Sequence, residues 1–98
     1  MKDILLNDGN RIPQLGFGTY KAKEQEGIEA LKYAISKGYR LIDTASIYNN
    51  EVAVGKGIIS SKINRKELFV TSKVWRENIG YQSTKIEFEK TLNRLELE

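Results

Sequence analysis

The chain has 98 residues, a length that suits one small domain. Hydrophobic residues make up 40% of it and charged residues 30%, a balance typical of globular proteins rather than disordered or fibrous ones. No stretch approaches the roughly 18 consecutive apolar residues of a membrane span. The apolar run within Met1–Leu6 is too short for a signal peptide. We therefore expect no membrane partner.

The chain contains no histidine and no cysteine. This composition argues against a structural zinc site, and we expect no metal. It also excludes a disulfide framework and fits a reducing compartment, so the predicted location is cytoplasmic. The formal net charge is +3, and the densest basic stretch is Lys62, Arg65 and Lys66. Because uncharged residues interrupt that stretch, we interpret it as a solvated turn and expect no nucleic-acid partner.

A hairpin is predicted at the N-terminus. Ile4–Leu6 and Arg11-Ile12 are short strand candidates, and Asp8-Gly9 between them is a strong signal for a tight turn. Pro13 cannot donate a hydrogen bond to a neighbouring strand, so it ends the second strand or leaves it at an edge. We expect this hairpin to cover part of the fold.

Two glycines mark the next segment, Leu15–Tyr20, which is predicted to be a short strand leading into a loop. Gly16 and Gly18 allow another backbone or a ligand to approach closely. They do not make a dinucleotide-binding fingerprint, because Lys21 stands where the third glycine would be. Tight strand packing and contact with a cofactor both remain open for these residues.

A helix is predicted over Glu24–Lys37, because apolar residues such as Leu31 and Ile35 recur at helical spacing and Gly38 can end it. The apolar run Tyr39–Ile42 is then short enough to be a buried strand.

A second helix is predicted to begin after a cap at Asn50 and to end near Ser61. Gly55 and Gly57 each weaken it by about 1 kcal/mol relative to alanine. We expect close packing against a neighbour to be the reason that they are tolerated. The side chains expected to face inward are Val54, Ile58 and Ile59.

The strongest strand pattern is Leu68–Val74, which follows a turn at Asn64–Lys66. A loop over Trp75–Gly80 then leads to a third helix over Ser83–Leu95, which carries Thr84, Phe88 and Leu92 at helical spacing. Strands that alternate with helices imply a parallel sheet with right-handed crossovers. The predicted fold class is therefore α/β.

Two polar side chains follow the strand Tyr39–Ile42. Asp43 comes directly after it, and Tyr48 lies on the next loop. In α/β folds, functional sites lie at the carboxyl ends of the parallel strands. A carboxylate and a phenol at that edge could serve catalysis, although an aspartate at a strand end is more often a cap or a turn residue.

Five stretches of the chain form a family pattern: Leu15–Tyr20, Gly38–Ala45, Tyr48-x-Asn50-Glu51 with Val54-Gly55, Phe69–Trp75 and Leu92–Leu95. Through them the chain shows a resemblance to the aldo-keto reductase family over its whole length. The resemblance implies a (β/α)8 TIM barrel with a hairpin across its base, of which residues 1–98 would form the hairpin and about the first three of eight units.

The resemblance also implies chemistry. Family members reduce aldehydes and ketones with hydride from NADPH, and their catalytic tetrad is Asp, Tyr, Lys and His. The matching positions here are Asp43, Tyr48 and Lys73. Tyr48 would donate a proton to the carbonyl oxygen, Lys73 would make its hydroxyl a better donor, and Asp43 would hold Lys73 by a charge-assisted hydrogen bond.

The remaining implied contacts surround the carbonyl. The resemblance places Gly18, Thr19, Tyr20 and Asp43 at the nicotinamide end of the cofactor. It places Tyr20, Ile47 and Trp75 around a small carbonyl substrate, although core packing is an equally good interpretation of Trp75.

The fourth member of the tetrad has no counterpart, because the 98 residues contain no histidine. We therefore expect this chain alone to lack reductase turnover. An incomplete barrel would also expose a sheet edge near Leu68–Val74. The alternative function is thus a non-catalytic interaction module that pairs through this edge, with itself or with a partner that completes the barrel. On either interpretation we do not expect a stable monomer in the native barrel shape.

Overall fold

Strands and helices alternate after an N-terminal hairpin in the computed structural model, which describes residues 2–20 and 24–97. The strands are β1 (Asp3–Leu5), β2 (Arg11–Pro13), β3 (Gly16–Gly18), β4 (Leu41–Asp43) and β5 (Phe69–Thr71), and the helices are α1 (Glu24–Ser36), α2 (Glu51–Ser61) and α3 (Tyr81–Leu95). The order of elements matches the sequence-based prediction. None of the helices in these two ranges is long and apolar enough to cross a membrane.

The hairpin forms where the Asp8-Gly9 turn predicts it. Strands β1 and β2 are antiparallel, with Ile4 opposite Ile12. Gly9 has φ +89°, a left-handed conformation that glycine adopts without steric cost. The Asp8 carboxylate accepts hydrogen bonds from the backbone and side chain of Asn10, which fix the turn locally.

The other three strands form a parallel sheet in the order β3-β4-β5. Phe17, Ile42 and Val70 stand side by side across it, and Ile42 is fully buried at its centre. Over the described residues these strands make an open sheet rather than a closed barrel. Strand β5 is shorter than the predicted Leu68–Val74. After Thr71, the Ser72 hydroxyl bonds to the Glu51 side chain, and the backbone oxygen of Lys73 accepts from Ser46 in the loop after β4.

Helices α1 and α2 pack together against one face of this sheet, and α3 packs against α2. One expectation about helix faces was wrong. Ile59 is 55% exposed, because it lies about 100° around the helix from the buried Ile58. On α3, Phe88 is 57% exposed, whereas Thr91 and Leu95 are buried. The core cluster is Leu31, Ile35, Ile42, Val54, Ile58, Leu68 and Leu95.

The glycines of α2 permit close helix packing, as expected. A Cβ atom at Gly55 would lie 2.5 Å from the backbone oxygen of Leu95 at the end of α3. A Cβ atom at Gly57 would lie 2.8 Å from Cδ2 of Leu31, the far end of a flexible side chain. Backbone cannot give way as a leucine methyl can, so Gly55 is the more constrained position.

Gly55→Ala is expected to destabilise the protein by about 1–2 kcal/mol, because overpacking against the α3 backbone outweighs the helix propensity of alanine. Gly57→Ala is the matched control and is expected to change the free energy of unfolding by less than about 1 kcal/mol. Denaturant unfolding of both variants measures the difference. A Gly55→Ala midpoint at or above that of the unsubstituted chain would contradict this packing.

Candidate functional site

Three strand ends meet at one edge of the parallel sheet. Gly18 is paired in register with Asp43, and Asp43 is paired with Thr71. Because parallel strands run in the same direction, the residues that follow these three also lie next to one another. Asp43 is itself the last residue of β4 rather than the first residue after it. This edge therefore gathers the side chains that the sequence singled out.

Asp43 and Lys73 form an ion pair across the ends of β4 and β5. The Lys73 Nζ atom lies 2.8 Å from Oδ1 of Asp43 and 2.8 Å from the backbone oxygen of Thr44. The Thr71 hydroxyl donates a short hydrogen bond to the same Asp43 oxygen. The side chains of Lys73 and Asp43 are 52% and 46% exposed, so the pair faces the open edge of the sheet.

The surroundings of Asp43 lower its pKa below the usual value of 3.8. Partial burial acts in the opposite direction and is the largest single influence. The hydrogen bonds from Lys73 and Thr71, together with the positive charge of Lys73, outweigh it. The carboxylate is therefore ionised at neutral pH and can hold the ammonium group of Lys73.

Tyr48 lies beside this ion pair, at the end of a 3-10 turn over Ser46–Tyr48. The Lys73 ammonium lies 5.5 Å from the centroid of the Tyr48 ring, which is cation–π distance. On its other side, the ring of Tyr20 is 5.2 Å from that of Tyr48. In the described part of the chain, Lys73 thus donates to Asp43 and Thr44 rather than to the Tyr48 hydroxyl.

The residues predicted to meet a cofactor differ in exposure. Thr19 is fully buried, and its amide and hydroxyl donate to the backbone oxygen of Asp43 at 3.0 and 3.2 Å. Tyr20 is 68% exposed. A Cβ atom at Gly18 would meet nothing within 4 Å, whereas one at Gly16 would lie 2.8 Å from Leu41. Gly16 thus serves strand packing, and Gly18 leaves open space at the sheet edge.

A cleft of about 360 Å³ opens next to Tyr48 and Lys73. Trp75 and Ile47, which the sequence predicted near a substrate, both lie on its wall. Most of its surface is apolar, and the polar groups on its wall belong to Tyr48, Lys73 and Arg76. Such a cleft suits a small molecule with one reactive polar group. Its lining residues are Ala45, Ile47, Tyr48, Lys73, Val74, Trp75, Arg76 and Ile79.

Asn50 was predicted to cap α2, and it occupies the cap position without a side-chain capping bond. Its Nδ2 atom instead donates to the backbone oxygen of Thr19 at 2.5 Å, and its Oδ1 atom accepts from the Thr44 hydroxyl at 3.3 Å. This buried amide therefore joins the ends of β3 and β4. A cap prediction considers only local donors, and it cannot detect a competing partner on another strand.

Four other residues contribute to this edge and were missed by the functional prediction: Ser46, Glu51, Thr71 and Ser72. The register with Asp43 could have indicated Thr71, since both end neighbouring parallel strands. Ser46 donates its amide and hydroxyl to the backbone oxygen of Lys73 at 3.2 and 3.0 Å. No local sequence signal indicates Glu51, which is buried and bonds to residues on two distant elements.

A sequence model of the aldo/keto reductase family matches residues 14–98. Among curated proteins, glyoxal reductase of Bacillus subtilis is 49% identical over 100 residues, which cover 100% of this chain and 36% of that protein. Morphine 6-dehydrogenase of Pseudomonas putida is 46% identical, and the match covers 97% of this chain and 32% of that protein. The chain thus spans about a third of the length of these relatives.

Solved structures match equally well. An aldo/keto reductase from Brucella melitensis superimposes with a TM-score of 0.93 at 45% identity, over 98% of this chain and 37% of that one. A Bombyx mori aldo-keto reductase in complex with NADP gives a TM-score of 0.89 at 38% identity, over 98% of this chain and 34% of that one. The hairpin and three-unit sheet described above therefore match about a third of a TIM-barrel structure.

Lys73→Met is expected to remove the pH-dependent stability that the ion pair contributes. Because Asp43 has a lowered pKa in the folded state, its contribution is present above the unfolded value of about 3.8 and is lost as the pH falls through the folded pKa. The thermal midpoint of the unsubstituted chain should therefore exceed that of Lys73→Met at neutral pH, and the gap should close on acidification.

The matched control is Lys56→Met, on the exposed face of α2. The gap between this variant and the unsubstituted chain should stay constant over the same pH range. A constant gap for Lys73→Met would show that Asp43 and Lys73 do not interact in the folded protein.

Proposed function

Because this chain belongs to the aldo/keto reductase family, we propose that it takes part in the NADPH-dependent reduction of small aldehydes and ketones to alcohols. The observation that carries the proposal is the Lys73 ammonium, hydrogen-bonded to Asp43 and lying over the Tyr48 ring at the edge of the sheet. Residues of the three types that this reduction uses thus lie together beside an apolar cleft.

Tyr48 is the proposed proton donor. When bound, NADPH supplies hydride to the carbonyl carbon, and the carbonyl oxygen then needs a proton. The hydroxyl of Tyr48 supplies it, and the phenolate that remains is stabilised by the positive charge of Lys73. Asp43 keeps Lys73 in place through the 2.8 Å hydrogen bond. The cleft beside Tyr48, with Trp75 and Ile47 on its wall, would hold the rest of the substrate.

The residues at the sheet edge fit the nicotinamide end of NADPH. Gly18 leaves open space above the end of β3, where a flat ring can approach the backbone. Tyr20 is exposed beside Tyr48 and can contact the nicotinamide ring or the substrate. Thr19 contributes differently, since its hydroxyl is already used to hold the backbone of Asp43.

Complete turnover is proposed to need groups outside these 98 residues. The curated relatives are about three times as long as the matched region, and the chain contains no histidine to fill the fourth tetrad position. We therefore assign Asp43, Tyr48 and Lys73 to a site that a whole barrel would complete.

The test joins residues 1–98, in one gene, to the part of the Bacillus subtilis relative beyond the matched third. We expect the joined protein to oxidise NADPH in the presence of glyoxal, and the 98-residue chain alone to show no turnover. Tyr48→Phe in the joined protein should lower kcat by about 10²–10⁴-fold, because the proton donor is lost. Turnover is measured as the loss of absorbance of the reduced nicotinamide.

Tyr33→Phe is the matched control, because Tyr33 is exposed on α1 and away from the cleft. It should leave kcat unchanged. An active joined protein that keeps its kcat with Tyr48→Phe would refute the assignment of Tyr48. Turnover by the 98-residue chain alone would refute the need for further groups.

An interaction module is the second candidate function, and the outer edge of β5 favours it. In the described sheet β5 pairs only with β4. Beside its free edge, a groove of about 230 Å³ runs between β5 and α3. The exposed Phe88 and the partly buried Leu92 and Val70 give this groove an apolar wall. Such a surface can pair with another chain.

On this second interpretation, Phe88→Glu should shift the native mass of the purified chain towards that of a single copy, because a charge in the groove opposes pairing. Tyr81→Glu is the control, since Tyr81 is exposed near the start of α3 and does not line the groove. Native mass spectrometry measures the mass of each variant under non-denaturing conditions. A native mass that is the same for Phe88→Glu and the unsubstituted chain would count against pairing through this groove.

A further inference from the structure

Glu51 is a buried carboxylate for which the proposed reaction has no use. Its side chain is 1% exposed, although it is the first residue of α2. Burying a carboxylate is unfavourable unless hydrogen bonds and a positive charge replace the lost water. The fold provides both, and this makes Glu51 a junction between separate elements.

Both carboxylate oxygens of Glu51 are occupied. Oε1 accepts from Nε of Arg94 at 2.7 Å and from the Thr91 hydroxyl at 3.2 Å, both on α3. Arg94 also approaches Oε1 with its Nη2 atom, at 2.6 Å. Oε2 accepts from the Ser72 hydroxyl at 2.7 Å. One oxygen is thus fixed by α3 and the other holds the segment that follows β5.

The bond to Ser72 links the two segments that carry the proposed catalytic residues. Ser72 directly precedes Lys73, and Glu51 lies three residues after Tyr48 in the chain. Ser46 strengthens the same link, since it donates two hydrogen bonds to the backbone oxygen of Lys73. The backbone of Lys73 is therefore held on both sides, by Ser46 and through Ser72 by Glu51.

We propose that Glu51 is a positioning residue that fixes the backbone at Ser72, so that the Lys73 ammonium stays between Asp43 and the Tyr48 ring. Its importance for catalysis rests on the proposed function, because only that function gives Lys73 a role. The positioning itself does not depend on turnover. Arg94 and Thr91 act as the anchor that holds the Glu51 carboxylate in place.

The Ser72 and Thr91 hydroxyls both donate to the Glu51 carboxylate, and substituting them one at a time distinguishes a positioning role of Glu51 from a general stabilising role. Ser72→Ala and Thr91→Val each remove one hydroxyl donor from the same buried carboxylate. Only Ser72 is connected to Lys73. If Glu51 only stabilises the fold, both substitutions should loosen the protein to a similar extent. If Glu51 positions Lys73, Ser72→Ala should increase the mobility of the Lys73 side chain and Thr91→Val should not.

The experiment measures the reactivity of each lysine in the folded 98-residue chain towards trace acetic anhydride, read by mass spectrometry. The Lys73 rate is divided by that of the exposed Lys56. Lys32 and Lys90, which pair with carboxylates on α1 and α3, report general loosening. Neither NADPH nor turnover is required, so a failed reductase assay would count against the proposed function and leave this result intact.

Ser72→Ala is expected to raise the relative rate at Lys73 about threefold, the effect of losing roughly one ordinary hydrogen bond. Glu51→Gln should raise it as well, and Ser72→Ala tests the proposal even if Glu51→Gln fails to fold. Ser72→Thr, which keeps a hydroxyl, and Thr91→Val should leave the rate unchanged. The proposal is overturned if Ser72→Ala leaves Lys73 unchanged, or if Lys32, Lys73 and Lys90 rise together in both hydroxyl variants.

Discussion

The hydrogen-bonded pair of Asp43 and Lys73 is the interaction on which the site depends. Two opposite charges that stay half exposed contribute little to stability. Their value here is geometric, because the 2.8 Å contact directs a flexible four-carbon side chain to one place beside Tyr48. Thr71 and the backbone oxygen of Thr44 complete the hydrogen bonding of the pair. An ammonium group next to a phenol favours the phenolate form, and this makes the phenol a better proton donor.

The parallel sheet makes this pair possible. The register that aligns Gly18, Asp43 and Thr71 also brings the residues after them to one edge. A change of register by one residue would turn the Asp43 side chain to the other face of the sheet. The core around Ile42 fixes that register, and the close contact of Gly55 with the end of α3 fixes α3 against α2. Packing far from the cleft thus determines the geometry within it.

The sequence predicted the order of elements, because that order depends on local signals. Alternating periodicities identify strands and helices, and Asp43 directly follows such a predicted strand. Lys73 was indicated by the family resemblance instead, because a lysine near the end of an apolar strand is not by itself a signal of a site. The hydrogen-bond network of Glu51 could not be predicted, because its partners Thr91 and Arg94 are 40 and 43 residues away. Asn50 illustrates the same limit, since a partner on another strand replaces its local cap. Ile59 was misassigned because periodicity identifies an apolar stripe without saying which of its residues a neighbouring element covers.

The most direct test of the central claim is a double-mutant cycle on kcat in the joined protein, with Asp43→Asn, Lys73→Met and the two combined. Residues that act as one unit give non-additive effects. If Asp43 works only by holding Lys73, the combined variant should be no slower than Lys73→Met alone. Fully additive losses in kcat would contradict the account, because they would mean that Asp43 and Lys73 act independently.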